Sequence, residues 1–237
     1  MQAERSMEDG YLHYQELKGW HEAPFMQPTR TDVQFFEHYL ADAVSKGSLV
    51  AEVGFGNGNF LGWAAARGAR VYGSEVQAAA RDKAVTAGVG LLPLEFGAWQ
   101  AVLPGRLRVM AAIDVMEHLT REQNAALLAA ASRLLEPGGL LFVRFPNGQS
   151  PLSLPIQHGD HTHISVLSAP IVEQMARGLP LDIVFAGRAF RPYVGGMAGR
   201  VARKAQDFVR GLADNAIRLV YGPLPMHANT VMVLRRT

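Results

Sequence analysis

The chain has no cysteine. That removes disulfides, thiol nucleophiles and cysteine-bound zinc from consideration, and it suits a reducing compartment. It also lacks any apolar run of roughly 18 residues, the length a membrane-crossing helix needs. Its opening, MQAERSMEDG, has neither the basic flank nor the apolar segment of a secretory leader, so the cytoplasm is the expected location. Internal repeats and low-complexity tracts are missing too. Charged residues make up 19% of the chain against 49% apolar ones, a balance that excludes a disordered polymer. With 237 residues, one core with additions is the expected organisation.

Net charge is only +2, but it is unevenly placed. From Gly187 onward nine Lys and Arg face two Asp and Glu, a local balance of +7 that leaves −5 for the rest. Such a tail points to acidic partners or to a solvated helix face.

What is present is an alternation of strands and helices. TDVQFFEHYLADAVSKG has apolar residues at helical spacing and Gly47 as its stop. SLVAEV, RVYGSEV, LRVMAAIDV and LLFVRF read as strands, and GLLPLEF as a weaker one because of Pro93. Between them lie GNFLGWAAARGA, closed by Gly68, and QAAARDKAVTAGV. TREQNAALLAAASRLLEPGG follows, capped by Thr120 and stopped by Pro137 and two glycines. Residues 146–167 read as a long loop, followed by a short helix from Ser168. LDIVFAG and ANTVMVLRR are strands around an amphipathic, basic helix at 195–222. Alternation of this kind means βαβ units and a parallel sheet covered on both faces.

The sharpest motif is VAEVGFGNGNF: a strand ending in Glu52-Val53, glycines at 54, 56 and 58, and a helix starting at once. Glycines there let a ligand approach bare peptide groups. A dinucleotide loop places its third small residue at position 59, which here is Asn59. Pyrophosphate would also sit badly beside Glu52, whereas a cationic ligand would welcome it. S-adenosylmethionine is such a ligand, with a sulfonium, an ammonium and a ribose. Glu75 ends the next strand seventeen residues after Gly58, where a carboxylate can accept both ribose hydroxyls in either nucleotide class. A nicotinamide-dependent dehydrogenase, a non-catalytic binding module and a ligand-free turn are the rival readings of this loop.

With AEVGFGNGNF, VYGSEV, AAIDVMEHL and LLEPGGLLFVRFPN in this order, residues 48 to 147 resemble the class I S-adenosylmethionine-dependent methyltransferases. The resemblance implies a doubly wound α/β fold. Its sheet would be mostly parallel, of seven strands in the order 3-2-1-4-5-7-6, with strand 7 antiparallel and helices on both faces. It further implies that Gly54, Gly56, Gly58 and Asn59 flank the methionine part and that Glu52 faces its amino group. Glu75 and Val76 would hold the ribose, and Asp114, Val115 and Met116 the far side. Where many members carry an acid against the adenine, this chain offers Leu94-Glu95-Phe96, and Phe96 is the residue counted here. YLHYQELKGWHEAPF, GSEVQ and HGDHTHISVLSAPIVEQM resemble, more narrowly, a bacterial branch found with polysaccharide and glycolipid biosynthesis. That likeness implies a sugar hydroxyl as acceptor, with Trp20 and His21 in a lid over the cofactor. Quinones, natural products and amines are the alternative acceptors.

IQHGDHTHIS places His158, Asp160, His161 and His163 within six positions of the loop after the fifth strand. Adjacent side chains of an extended segment point apart, so this loop by itself makes a poor metal site and no metal is expected. A polar loop without chemistry is one alternative. The other is a base that takes the proton from an acceptor hydroxyl, with Asp160 orienting His161 or His163. His118, in DVMEHL, is the rival base. His158 is counted with Trp20 and His21 as substrate-facing.

The expected organisation is thus an arm or lid at 1–30 and one domain at 31–237, with a substrate loop at 146–167 and the basic helical insertion at 195–222. A small-molecule or glycan partner, acidic to suit the tail, is expected, and nucleic acid is not. The basic helix is the expected homodimer contact.

Overall fold

The computed structural model describes residues 24–193 and 195–237. Thr29 starts the first helix by accepting the Asp32 amide on its hydroxyl, while Asp32 accepts the Thr29 amide in return. This helix, α1, runs Arg30–Leu40. It ends earlier than its apolar pattern suggests, because Ala43 and Val44 are buried from a turn rather than from helix. Apolar spacing reports burial, and burial continues where the helical ladder stops.

Then follow β1 (Leu49–Val53), α2 (Asn59–Ala66), β2 (Arg70–Ser74), α3 (Ala78–Thr86) and β3 (Gly90–Leu91). The weak third strand is only two residues long, paired to Tyr72 and Gly73, since Pro93 has no amide to donate. Next come α4 (Trp99–Val102), β4 (Leu107–Ile113) and α5 (Arg121–Leu134). The capping box of Thr120 with Gln123 starts α5. Its end differs from expectation: strand β5 (Leu135–Pro146) begins directly, and the Pro-Gly-Gly sequence forms a register shift against β4. Gly139 must lack a side chain there, because a Cβ would come within 3.0 Å of the carbonyl oxygens of Glu136 and Leu107.

The segment after β5 is not a bare loop. It folds into a 3-10 turn at Pro151–Ser153 and α6 (Leu154–Gln157), both fixed by Ser150 and Ser153 hydrogen bonds. The chain continues with α7 (Ala169–Ala176), β6 (Leu181–Arg188), α8 (Met197–Tyr221) and β7 (Asn229–Arg236).

The sheet order is β3-β2-β1-β4-β5-β7-β6, parallel through β5, with β7 antiparallel to both β5 and β6. This is the expected architecture in full. Successive residues of a strand face opposite layers. Ala51, Val53, Met110 and Leu141 therefore pack with α5 and α7, while Val50, Val109, Ala111 and Phe142 pack with α1, α2 and α3. Each fully buried Leu or Phe contributes roughly 1.5–3 kcal/mol, so these two layers set the strand ends that form the site.

Candidate active site

Four strand ends converge on one crevice, the usual ligand position of an open parallel sheet. Beyond β1 the backbone turns through Gly54 (φ 61°), Gly56 (φ 49°) and Gly58 (φ 70°), a left-handed path that favours glycine at every step. Close packing adds a second constraint. A Cβ on Gly54 would stand 2.7 Å from Val115 Cγ2, and one on Gly58 would stand 2.9 Å from Met26.

The carboxyl of Glu52 is buried, and its Oε2 has no hydrogen-bond partner among the described residues. Burial pushes its pKa well above the usual carboxylate range, nearby Glu75 adds to the rise, and Arg144 opposes it. Glu75 is differently placed. Its two oxygens accept the amides of Gly56 at 2.9 Å and Gln77 at 3.0 Å, so it ties the second strand end to the glycine turn. Val76 beside it is exposed. Phe96 opens a 3-10 turn (Phe96–Ala98) five residues after β3, half-buried against Trp99 with ring centroids 5.7 Å apart. Asn59 starts α2 and donates to Asp32 at 3.1 Å.

After β4, Asp114 takes a left-handed conformation (φ 54°) and its carboxylate receives a two-pronged contact from Arg144 on β5, with Nε to Oδ1 at 2.8 Å. Burial disfavours the charge on Arg144, yet Asp114 keeps its pKa above the ordinary value. Val115 packs on Gly54, and Met116 is buried in the core.

The histidine loop meets this strand end. Ile164 and Ser165 donate their amides to the Glu117 carbonyl at 2.9 and 3.0 Å, and the Ser165 hydroxyl donates to the Leu119 carbonyl at 2.6 Å. These bonds bring His118 and His163 edge to face, with ring centroids 4.6 Å apart. Thr162 links the two segments: its hydroxyl donates to Asp160 Oδ1 at 2.6 Å and lies 2.9 Å from His118 Nδ1. His163 Nε2 stands 3.8 Å from Asp160 Oδ2. Burial and His163 lower the pKa of His118, against the pull of Asp160, so its imidazole is neutral at neutral pH. Burial works against ionised Asp160, but the Thr162 hydroxyl and amide and the nearby histidines bring its pKa below the ordinary value. His158 and His161 are exposed and lie outside this cluster. Trp20 and His21 lie outside the described residues.

Residues 30–184 match the family model described as a methyltransferase domain. The chain belongs to that methyltransferase family. Solved structures carry the same fold. A SAM-dependent methyltransferase from Archaeoglobus fulgidus aligns with 15% identity and a TM-score of 0.59, over 95% of this chain and 99% of that one. A TehB-like SAM-dependent methyltransferase from Corynebacterium glutamicum gives 12% and 0.58, over 98% and 100%. The N-methyltransferase NodS from Bradyrhizobium japonicum, in complex with S-adenosyl-L-homocysteine, gives 14% and 0.54, over 86% and 85%. No curated protein matches the sequence.

Several residues of this methyltransferase's crevice escape a reading of the sequence alone. Arg144 is visible as the one charge in LLFVRF, and a charge within a buried strand demands a partner, but its pairing with Asp114 depends on strand register. Thr162 looks like loop filler until the fold carries it to His118. Phe25 and Met26 rest on Gly58, with the Met26 amide donating to the Asn57 carbonyl at 2.9 Å. The start of the chain's described part therefore covers the glycine turn.

Proposed function

We propose that this methyltransferase moves a methyl group from S-adenosylmethionine to the hydroxyl of a small polar acceptor, a sugar in glycan or glycolipid synthesis, in the cytoplasm. One observation carries the reading: the buried carboxyl of Glu52, its Oε2 without a partner among the described residues, beside a turn of three left-handed glycines. A buried oxygen without a partner is costly, and a cationic ligand placed against it relieves the cost. Pyrophosphate brings no cation to that oxygen and would oppose its ionisation, which sets the dehydrogenase reading aside.

When bound, S-adenosylmethionine supplies a methyl group on a positively charged sulfur, whose bond to carbon breaks with its electron pair left on sulfur as the new carbon–oxygen bond forms. The chain's own residues do the rest. Glu52 faces the ammonium, and Gly54, Gly56 and Gly58 let the ligand approach the backbone, with Asn59 at the start of the following helix. Glu75 keeps a second lone pair on each oxygen for ribose hydroxyls beside Val76, and Phe96 bounds the adenine side. Asp114, locked by Arg144, holds the far wall with Val115 and Met116. An acceptor hydroxyl enters at the cluster of His118, His163 and Asp160, where neutral His118 takes its proton in the bare site. Exposed His161 and His158 line the entrance, and Pro24 and Met26, hydrogen-bonded to Asn57, lie on the glycine turn.

Helix α8 supports a further expectation, a homodimer. Met197, Val201, Phe208, Leu212 and Leu219 form an exposed apolar stripe, while Asp207 and Asp214 on the polar side pair with Arg191 and Arg188. Sedimentation velocity should give a dimer that Phe208→Glu splits into monomers.

The decisive test of the activity is calorimetry with S-adenosylhomocysteine, then incubation with labelled cofactor and a panel of nucleotide sugars and glycans read by mass spectrometry. Micromolar binding and an added methyl on a hydroxyl are expected. No binding of either nucleotide at millimolar levels would end the methyltransferase reading, and label on nitrogen would move the acceptor to an amine.

A further inference from the structure

Taken alone, the loop histidines are ligands from one short segment, which is the arrangement metal sites avoid. The fold removes that objection by drawing donors from two separate strand ends. Glu117 and His118 sit on a 3-10 turn (Met116–His118) after β4, and His163 comes from the segment after β5. One ligand atom from each of Glu117, His118 and His163 lies within 4.8 Å of the others. Glu117 is buried, at 2% exposure, and both histidines are half-buried.

We propose that Glu117, His118 and His163 form a binding site for one divalent transition-metal cation, with an open position toward the acceptor. The inference rests on the reading of the crevice as a methyl-transfer site, and it assigns the activation of the hydroxyl to a cation.

Three features support it besides proximity. First, the backbone is fixed before any ion arrives, because Ile164 and Ser165 both bind the Glu117 carbonyl. Second, both imidazoles have their tautomer set. The Thr162 hydroxyl spends its proton on Asp160, so it and the Thr162 carbonyl accept from His118 Nδ1–H; His163 Nδ1–H donates to the Gln157 carbonyl at 3.3 Å. In each ring the lone pair therefore belongs to Nε2, and outer hydrogen bonds of this kind orient metal-bound histidines. Third, two imidazoles with one carboxylate make a donor set for zinc, cobalt, manganese or nickel rather than for calcium or magnesium, which prefer all-oxygen sites. Three protein ligands leave a position for an exchangeable oxygen, the pattern of catalytic rather than structural sites. An acceptor hydroxyl bound there loses its proton to water while its electron pair stays on oxygen. Asp160, with Oδ2 at 3.8 Å from His163 Nε2, borders the same space.

The test is calorimetric titration of the metal-stripped full chain with Co2+ or Zn2+, with the visible spectrum of Co2+ as a second readout and S-adenosylhomocysteine binding as the control. One cation per chain is expected, with cobalt bands of a four- or five-coordinate nitrogen–oxygen site. Glu117→Gln and His163→Asn should abolish those bands while leaving S-adenosylhomocysteine affinity within about twofold, and Asp160→Asn should weaken the cation by about 10- to 100-fold. Wild-type protein that takes up no cation at millimolar levels overturns the proposal. So does binding that persists in both ligand variants, which would assign the ion to exposed histidines. Either result leaves the methyl-transfer reading intact so long as S-adenosylhomocysteine still binds; loss of that binding in the wild type would sink the reading itself, while cation uptake still decides the site.

Discussion

Strands β1 and β6 lie in the same sheet and differ in almost everything that stabilises them. All five residues of β1 are buried between parallel neighbours, whereas in β6 only Leu181 is buried and Asp182 through Ala186 are exposed. The helix after β1 packs Phe60, Leu61 and Trp63 into the core. Helix α8, after β6, has no buried residue and is held by charges: Arg188 to Asp214, and Arg191 to Asp207 at 3.4 Å. The centre is thus organised by burial and the edge by solvent-screened pairs. A crevice needs fixed positions, and fixed positions come from close packing. An edge that must meet something else can remain open.

The largest effect expected from testing this contrast lies at the centre. His118→Ala should lower turnover by about 100-fold or more, the usual scale for losing an activating residue, while S-adenosylhomocysteine affinity stays constant. His161→Ala, at an exposed position outside the cluster, should change turnover far less. Single-turnover kinetics beside calorimetry would check both; equal losses would mean that the crevice extends over the exposed part of the loop.

Glu52→Gln comes next and has two opposite consequences. Cofactor affinity should fall by about 10- to 100-fold, because a hydrogen bond to a charged group is worth roughly 1.5–3 kcal/mol. Stability of the cofactor-free protein should change in the other direction. Burial raises the pKa of Glu52 in the folded chain, so the folded state binds this proton more tightly than the unfolded state does. The stability it contributes is fully present below the unfolded carboxylate value and is lost as pH rises through the folded value. Glu52→Gln removes that titration, and the cofactor-free variant should melt above wild type at neutral pH. Melting curves across the acid range, with and without S-adenosylhomocysteine, separate the two effects.

A smaller loss is expected from Gly54→Ala. A left-handed conformation costs an ordinary residue about 1–2 kcal/mol. The new methyl would also press on Val115 Cγ2 at 2.7 Å, although that flexible side chain can give way. Thermal melting should report a Tm lower by several degrees.

The same contrast explains how much could be read from the sequence. Strand order and the glycine turn were legible because buried parallel strands leave continuous apolar runs and left-handed turns select glycine; the order 3-2-1-4-5-7-6 followed from the resemblance these motifs carry. The site between segments was less legible. Asp160 lies beside His163, but local spacing offers His161 and His163 equally, and only the clamp on the Glu117 carbonyl turns His163 inward. Contacts such as His118 to Thr162 span 44 residues and depend on how far the β5 segment folds back. Local pattern carries no such information.

The weakest expected effect belongs to the edge. Asp214→Asn removes the partner of Arg188, but both side chains keep about a third of their surface in water (35% and 36%). Exposed pairs are worth about 0–1 kcal/mol, so global stability should hardly move. Local opening is the sensitive measure. Amides of α8 should exchange faster in the variant, while those of β1 and β4 keep wild-type protection, because no buried layer links the helix to the core. If the sheet amides lost protection as well, the edge would be cooperative with the centre, and its stabilisation could not be attributed to surface charge alone.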